Sequence, residues 1–409
     1  MTSFEIELTA IAHGGSALGR HEGRVVFVPH TMPGERALVE IVEDKGRFAF
    51  AQLLEILSPC ADRVEPPCPY FGPGGCGGCQ WQHITYPAQL EYKTRIMYDQ
   101  LQRIGKIATP NVHATLPDPS IWAHRNHAQF HPSKQGGLGF KTTDDRSVVD
   151  VESCLILHPL LAELHEALDL SLEGLRRLSL RVGTETCDRM VIFEMADDLP
   201  PSLEVDAPVS CVLLLSDGEY VNLIGSNHIV EHVGEHAYRI SAPSFFQVNT
   251  RQANRLVSQV LDYLDLSGNE TVLDGFCGVG LFTVELAQQA DLVIAIESAP
   301  SAVDDLMENT AHLDNVEVIE GLVEEVLPEL EIAIDVAVVD PPRAGLDRFA
   351  LDALADMHPS RIVYVSCDPA TLARDVNRLT RKGYDLVQVQ PIDMFPQTYH
   401  VESVSLFVA

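Results

Sequence analysis

Positive charge and long apolar runs are both scarce in this sequence. Its 409 residues include 28 Lys and Arg against 59 Asp and Glu, which gives a formal net charge of −31 at pH 7. Proteins that bind phosphate backbones usually present a basic surface, so this balance argues against nucleic acid unless a basic face is confined to one region. One such local excess comprises Arg361, Arg374, Arg378, Arg381 and Lys382.

Segments for entering or crossing a membrane are also lacking. No window reaches the roughly 18 consecutive apolar residues of a membrane span. The first ten residues, MTSFEIELTA, lack the basic and apolar regions of a signal peptide. The sequence therefore predicts a cytoplasmic protein without a membrane partner, and we expect a monomer.

Cysteine is unevenly distributed. Four of the nine cysteines lie within residues 60–79. In a cytoplasmic protein such crowding indicates metal ligands or catalytic thiols rather than disulfides. With Cys60 included, this group is a four-cysteine set that could hold zinc.

Hydrophobic patterning divides the chain into three predicted domains, as expected for its length. Residues 1–58 read as short alternating strands with evenly spaced turns, which is typical of a small OB-like β-barrel. Residues 59–240 contain a cysteine-rich loop, an amphipathic helix over about 86–105 and mostly β signals, which predict a mixed α+β domain. In residues 241–409 apolar strands alternate with helical stretches, which predicts an α/β domain with a doubly wound parallel sheet.

The first strand of that sheet ends in the glycine-containing loop LDGFCGVG, residues 273–280. Glycines at this place let the backbone approach a ligand closely. The next strand ends in Glu297, where a carboxylate can accept hydrogen bonds from ribose hydroxyls. The loop is shorter than a pyrophosphate fingerprint, which favours an adenosine ligand without a diphosphate, such as S-adenosylmethionine. The alternative is a structural turn followed by a solvated Glu.

Two later strand ends carry the motifs DPPR (residues 340–343) and SCDP (residues 366–369). The prolines of the first motif fix the exit of the strand. Arg343 stands where methyltransferases of exocyclic nitrogens carry an aromatic residue, which argues against N-methylation. Cys367 in the second motif is either a buried thiol or a nucleophile. Because a helix start follows it, we expect its thiolate to be favoured.

In combination, these motifs resemble those of the S-adenosylmethionine-dependent RNA uracil-C5 methyltransferases, and the resemblance covers nearly the whole chain. LTAIAHGGSALGR and VVFVPHTMPGE are similar to the RNA-binding TRAM domain. The other motifs, in chain order, are SFFQVNT, LDGFCGVGLFT, VVDPPRAGL, YVSCDPATLARD and HVESVSLF. The resemblance implies a class I, Rossmann-like methyltransferase domain that transfers a methyl group from S-adenosylmethionine to C5 of a uridine in RNA.

That reaction needs a nucleophile and a base. Uracil C5 is a poor nucleophile, so the ring is activated when the thiolate of Cys367 adds to C6. The C5 proton must then be removed before the thiolate can leave, and the resemblance assigns this role to Glu402. Contacts to the cofactor are implied for Gln247, Phe276, Glu297 and Asp340.

The resemblance also implies an iron–sulfur cluster. The segment CPYFGPGGCGGCQ is similar to the 4Fe-4S loop of the family, whose fourth ligand is a distant cysteine. On this chain the implied ligands are Cys68, Cys76, Cys79 and Cys154, with Cys60 as the alternative fourth ligand. Since methyl transfer needs no redox step, we expect the cluster to be structural or to position RNA.

The identity of the RNA and two other functions remain open at this stage. The cysteine loop favours ribosomal RNA, in particular 23S, over transfer RNA, because bacterial members that act only on transfer RNA lack it. A cytosine-C5 methyltransferase would carry a Pro-Cys pair where this chain has DPPR. A non-catalytic RNA-binding iron–sulfur protein would not need Gln247, Asp340, Cys367 and Glu402 to be intact.

Overall fold

The computed structural model describes residues 3–409, and its N-terminal part is a closed five-stranded barrel. The strands are joined in the order β1-β2-β3-β5-β4. Ile6 and Leu8 of β1 are buried while the residues between and beside them are not, which is the period of two expected for a strand with one face in a core. The predicted barrel is therefore confirmed. Its strands are β1 (Phe4–Ile11), β2 (Ala17–His21), β3 (Arg24–Val28), β4 (Arg36–Asp44) and β5 (Phe48–Ser58).

A long helix, a second sheet and a separate hairpin follow the barrel. The second sheet has seven strands in the order β12-β11-β10-β9-β6-β7-β8, and the hairpin pairs β13 with β14. The elements are α1 (Tyr86–Arg103), β6 (His127–Pro132), β7 (Leu138–Lys141), β8 (Val148–Asp150), α2 (Pro159–Glu166), β9 (Leu175–Val182), β10 (Arg189–Met195), β11 (Ser210–Leu214), β12 (Tyr220–Ile224), β13 (His228–Val233) and β14 (His236–Ser241).

The C-terminal part is built on a third sheet, whose order is β17-β16-β15-β18-β19-β21-β20. Its strands alternate with helices along the chain, as predicted. The elements are α3 (Thr250–Leu264), β15 (Thr271–Gly275), α4 (Thr283–Ala287), β16 (Leu292–Glu297), α5 (Pro300–Thr310), β17 (Val316–Glu320), α6 (Val323–Val326), β18 (Val336–Val339), α7 (Arg348–Asp356), β19 (Arg361–Ser366), α8 (Pro369–Arg381), β20 (Asp385–Ile392) and β21 (Glu402–Val408).

The expectation that this sheet is parallel throughout is wrong at one strand. β21 runs antiparallel to both of its neighbours, β19 and β20. The connection from β20 to β21, residues 393–401, is shorter than the dozen or more residues that a parallel crossover needs, so the chain returns as a hairpin. In this register Ser403 lies opposite Ser366, the last residue of β19. The start of β21 therefore lies at the edge of the sheet where β19 ends.

Helix α1 packs against both the barrel and the C-terminal sheet. Ala88 and Ile96 belong to the hydrophobic cluster of the barrel, whereas Met97 and Leu101 belong to a cluster of the C-terminal sheet. Lys93, on the same helix, is fully buried and donates hydrogen bonds to the Asp393 carboxylate and the Phe395 carbonyl. Within residues 3–409 no helix is long and apolar enough to cross a membrane.

Candidate active site

Five of the residues predicted from the sequence lie at one edge of the C-terminal sheet. The carboxyl ends of parallel strands meet at this edge, which is where open α/β sheets bind their ligands. The antiparallel strand β21 contributes its first residue to the same edge. The five residues are Phe276 after β15, Glu297 at the end of β16, Asp340 after β18, Cys367 after β19 and Glu402 at the start of β21.

Cys367 is half-buried, and its environment disfavours the thiolate in the free protein. Burial, followed by the carboxylates of Glu402 and Asp340, raises its pKa to about 12, and Arg343 opposes part of this rise. The expectation that the helix start favours the thiolate is therefore wrong for the free protein. The side chain of Asp368 accepts hydrogen bonds from the first amides of α8, so a carboxylate already occupies the positive end of that helix.

Glu402 is the most deeply buried carboxyl of this group, with 3% of its surface exposed. Burial, with Asp340 as a second cause, holds its pKa well above the usual range, and Arg343 lowers it in part. The pKa of Asp340 is raised to about 7, first by burial and then by Asp274. A carboxylate in such an environment binds a proton more strongly than a solvated one, which suits a general base.

The loop after β15 is held against β16 by Glu297. The Glu297 carboxylate accepts hydrogen bonds from the amide of Gly278, at 2.9 Å, and from those of Ser298 and Ala299. Gly280 has φ +94°, a conformation that strains any residue with a Cβ, and a Cβ there would lie 2.7 Å from Leu306 Cδ1, so a larger residue would also push that side chain aside. The backbone thus runs closely past the strand end, as adenosine binding requires.

Residues at the strand ends are suited to a cationic adenosine ligand. The pKa of the buried Asp274 is raised to about 7, mainly by burial. Its Oδ1 atom is buried without a hydrogen-bond partner in the described part of the chain. With Glu297 and Asp340 nearby, this edge carries negative charge that the sulfonium of S-adenosylmethionine would offset.

Gln247, the sixth candidate residue of this group, is buried in the segment before α3. Within residues 3–409 no hydrogen bond joins its side chain to the other five residues. Its neighbours run along the same edge of the sheet: Ser244 contacts Ser301 of α5, and Asn249 donates to the Met394 carbonyl. The segment therefore passes from the Glu297 side to the connection that precedes Glu402.

The four cysteines of the predicted cluster line one common cavity, together with Arg125 and aromatic side chains: Cys68, Cys76, Cys79 and Cys154. Cys60 is not part of it. Its sulfur lies 3.3 Å from Met32 Sδ, beside the core of the barrel. Cys154, remote in sequence, is thus the cysteine that meets the other three.

In this cavity the thiolate forms are disfavoured, and one nitrogen of Arg125 lacks a hydrogen-bond partner among the described residues. Burial raises the pKa of Cys76 to about 11 and that of Cys79 to about 12, and the neighbouring thiols add to both shifts. Arg125 Nε is buried and has no hydrogen-bond partner among the described residues. In residues 3–409 no three His, Cys, Asp or Glu side chains are grouped as ligands of a single metal ion. A cluster binds one thiolate at each iron and so needs its cysteines further apart.

Two contacts that the sequence did not indicate connect distant parts of the chain to this edge. His13, in the loop between β1 and β2, lies with Nε2 3.3 Å from Asp368 Oδ2, beside Cys367. The amides of Gln80 and Trp81, which follow Cys79, both donate to the Gln397 carbonyl at 3.0 Å. The cysteine loop is therefore bonded directly to the connection that leads to Glu402.

Comparison with known proteins gives consistent matches along the whole chain. A family model described as tRNA (Uracil-5-)-methyltransferase matches residues 225–409, and a TRAM domain model matches residues 2–54. An uncharacterized RNA methyltransferase from Halalkalibacterium halodurans is 36% identical over 98% of this chain and 96% of its own length. One from Thermosynechococcus vestitus is 34% identical over 99% and 97%, respectively.

The solved structures include a match over nearly the full length. The crystal structure of Pyrococcus abyssi tRNA (uracil-54, C5)-methyltransferase in complex with S-adenosyl-L-homocysteine is 29% identical and covers 99% of this chain and 100% of that one. The TM-score is 0.80. The arrangement of barrel, middle sheet and C-terminal sheet is therefore the fold of that methyltransferase.

Proposed function

The chain belongs to the family of S-adenosylmethionine-dependent RNA uracil-C5 methyltransferases, and we propose that Cys367 and Glu402 carry out this reaction on a uridine of 23S ribosomal RNA. The observation that supports these roles is the antiparallel course of β21, which sets the start of that strand against the end of β19. A nucleophile and a base are both needed on the same uracil, and these two residues are neighbours at a crevice edge.

In the proposed chemistry Cys367 acts as the nucleophile and Glu402 as the base. S-adenosylmethionine, when bound, supplies the methyl group as an electrophile. The thiolate of Cys367 adds to C6, and the electron pair of the C5–C6 double bond moves toward O4 of the uracil. The electron pair would then return to form the bond from C5 to the methyl group, as the bond between that methyl group and the sulfonium sulfur breaks and S-adenosylhomocysteine is left. Glu402 next removes the C5 proton. The C5–C6 double bond then re-forms, and the C6–sulfur bond breaks to release the thiolate.

We assign binding of S-adenosylmethionine to Gln247, Phe276, Glu297 and Asp340. The Glu297 carboxylate is already directed at the loop amide of Gly278, where it can exchange this bond for the ribose hydroxyls. The negative charge at the strand ends supports binding of a sulfonium. The carboxylates of Glu402 and Asp340 add to the effect of burial in raising the pKa of Cys367, so the thiol stays protonated until positive charge arrives.

We further propose that the cysteine cavity holds a 4Fe-4S cluster with a structural or RNA-positioning role. Four thiols of a common cavity provide the number of ligands that such a cluster takes. The Arg125 guanidinium beside them, whose Nε is buried without a hydrogen-bond partner among the described residues, would offset the negative charge of a thiolate-bound cluster. In keeping with this role, the loop after Cys79 is bonded to the connection that precedes Glu402.

Transfer RNA is the second candidate substrate. The archaeal structure with a TM-score of 0.80 is named as a methyltransferase of uracil-54 in transfer RNA. The cysteine cavity favours ribosomal RNA, because bacterial members that act only on transfer RNA are expected to lack the cysteine loop.

A covalent trap tests the chemistry and the substrate together. The protein is incubated with labelled S-adenosylmethionine and either 23S ribosomal RNA fragments or transfer RNA, both containing 5-fluorouridine. The fluorine prevents removal of a C5 proton, so a labelled covalent complex should accumulate with the 23S fragment. The Cys367→Ala variant should form none, while Cys187→Ser, at an exposed cysteine outside both sites, should trap normally.

Each result of this experiment decides one part of the proposal. Trapping that persists in Cys367→Ala would exclude Cys367 as the nucleophile. Trapping with transfer RNA alone would replace the substrate and leave the chemistry intact.

A further inference from the structure

The outer face of the barrel carries a groove with three phenylalanine rings. Strands β3 and β5 pair in parallel, so that Phe27 lies opposite Phe50 and Val25 lies opposite Phe48. Phe48 and Phe50 are each 37% exposed. The three ring centroids lie 5.5 to 6.0 Å from one another. The groove is open to solvent and has a volume of about 590 Å³, so a nucleobase has room in it.

The charge in this groove differs from that of the protein as a whole. No carboxylate is among the described residues that line it, although Asp and Glu outnumber Lys and Arg about two to one in the chain. Arg47 lines the groove, is exposed and forms no ion pair within residues 3–409. The nearby Asp44 is paired with Arg24. An anionic partner therefore meets one free guanidinium and no opposing carboxylate.

The groove is continuous with the candidate active site. His13 lines the groove and also contacts Asp368, which directly follows Cys367. Gly15, in the same loop, accepts a hydrogen bond from the indole of Trp81 and lies against Tyr399, close to Glu402 in the sequence. The loop between β1 and β2 thus forms a shared border, and a chain bound in the crevice can extend into the groove.

We propose that this groove binds unpaired RNA bases that flank the target uridine. Phe27, Phe48 and Phe50 stack on the bases, and Arg47 contacts a phosphate. Aromatic rings beside a cation are the usual platform for single-stranded nucleic acid, because every base has a face that can stack. The inference rests on the proposed function, since it takes the flanking nucleotides of that substrate as the occupant. It also accounts for RNA binding by so acidic a protein, because stacking needs little positive charge.

Fluorescence of 2-aminopurine tests this inference. Single-stranded RNAs carry one 5-fluorouridine and one 2-aminopurine at successive flanking positions, and the full-length protein is used. We expect quenching at one or more positions, because stacking quenches this base. The Phe48→Ala/Phe50→Ala variant should lose the quenching and bind the RNA about ten- to a hundredfold more weakly. The Phe48→Trp/Phe50→Trp variant, which keeps aromatic rings at both positions, should retain the quenching and the RNA affinity.

Matched controls separate stacking from other effects. Leu54→Ala removes an exposed apolar side chain of the same strand, outside the groove lining, and should bind RNA like the original protein. Arg47→Gln should reduce the slope of log affinity against log salt by about one. Fully paired RNA should compete poorly.

The outcomes distinguish this inference from the proposed function. If the unaltered protein is trapped by fluorouridine but the double alanine variant binds RNA equally well, the groove inference is wrong and the function stands. If quenching and its loss occur but no trap forms, the function fails and the groove stands. A change of oligomeric state in the variant, with RNA binding unaltered, would mean that a second copy occupies the groove and would overturn the inference.

Discussion

The cysteine cavity and the catalytic crevice both hold thiols away from water, but the charges around them differ. In the cavity, burial first and neighbouring thiols second, Cys154 among them in both cases, raise the pKa of Cys76 to about 11 and that of Cys79 to about 12, with Arg125 as the compensating charge. In the crevice Cys367 reaches about 12 through burial and two carboxylates, with Arg343 as the compensating charge. Burial thus disfavours the thiolate in both sites, whereas the charges that add to this effect are thiols in the cavity and carboxylates in the crevice.

This difference indicates what each site needs in order to function. Four thiols without a carboxylate are consistent with the ligand set proposed for a cluster, since thiols become ionised when metal cations bind to them. A single thiol among carboxylates is consistent with the proposed nucleophile, whose ionisation would require a positively charged cosubstrate and a proton acceptor. A high pKa in the free protein is therefore compatible with either role, and the neighbouring groups distinguish them.

The largest expected effect comes from removing the proposed base, Glu402. Glu402→Gln should lower turnover by about 10² to 10⁴-fold, the usual contribution of general base catalysis. Ordinary uridine RNA should then accumulate as a covalent adduct through Cys367, because the C5 proton stays in place. Gel mobility and mass spectrometry measure the adduct. Glu317→Gln, at an exposed glutamate of the same sheet, should behave normally, and rapid turnover of Glu402→Gln would remove Glu402 from this role.

Substitution of a cysteine in the cavity should change methyl transfer less than Glu402→Gln does, but it should remove the iron from the protein. The Cys79→Ser variant, purified anaerobically, should lose its iron and its broad visible absorption, and its melting temperature should fall. Cys60→Ser should keep all three properties, because Cys60 lies outside the cavity. Iron retained in Cys154→Ser but lost in Cys60→Ser would reverse the choice of fourth ligand, and iron-free original protein would refute the cluster.

The smallest expected effect concerns the rate at which Cys367 is alkylated. Only the thiolate reacts with iodoacetamide, so alkylation of Cys367 should rise about tenfold per pH unit from pH 7 to 9, since its pKa is about 12. S-adenosylmethionine should accelerate this alkylation several-fold relative to S-adenosylhomocysteine, which lacks the sulfonium charge. Peptide mass spectrometry follows both reactions, with the exposed Cys187 as reference. A plateau near pH 8, or equal rates with both ligands, would contradict the account.

Local patterns made most of the crevice predictable. Strand ends followed by turn or helix signals gave the places of Glu297, Asp340 and Cys367, because each depends on a few adjacent residues. The predicted parallel sheet is found except at β21, whose pairing direction depends on the length of the preceding connection. The thiolate expectation for Cys367 failed because burial, and after it the carboxylates of Glu402 and Asp340, raise the pKa of this thiol, and both depend on segments that are distant in sequence.

The sequence by itself determined the barrel, the alternation of strands and helices, and the motifs that identify the family. These features follow from side-chain periodicity and from turn chemistry, which act over a few residues. Only the tertiary structure decided that Cys154 rather than Cys60 joins the cysteine cavity, that Glu402 meets Cys367, and that the barrel loop reaches Asp368. Burial and pairing between distant segments set these contacts, so no local pattern contains them.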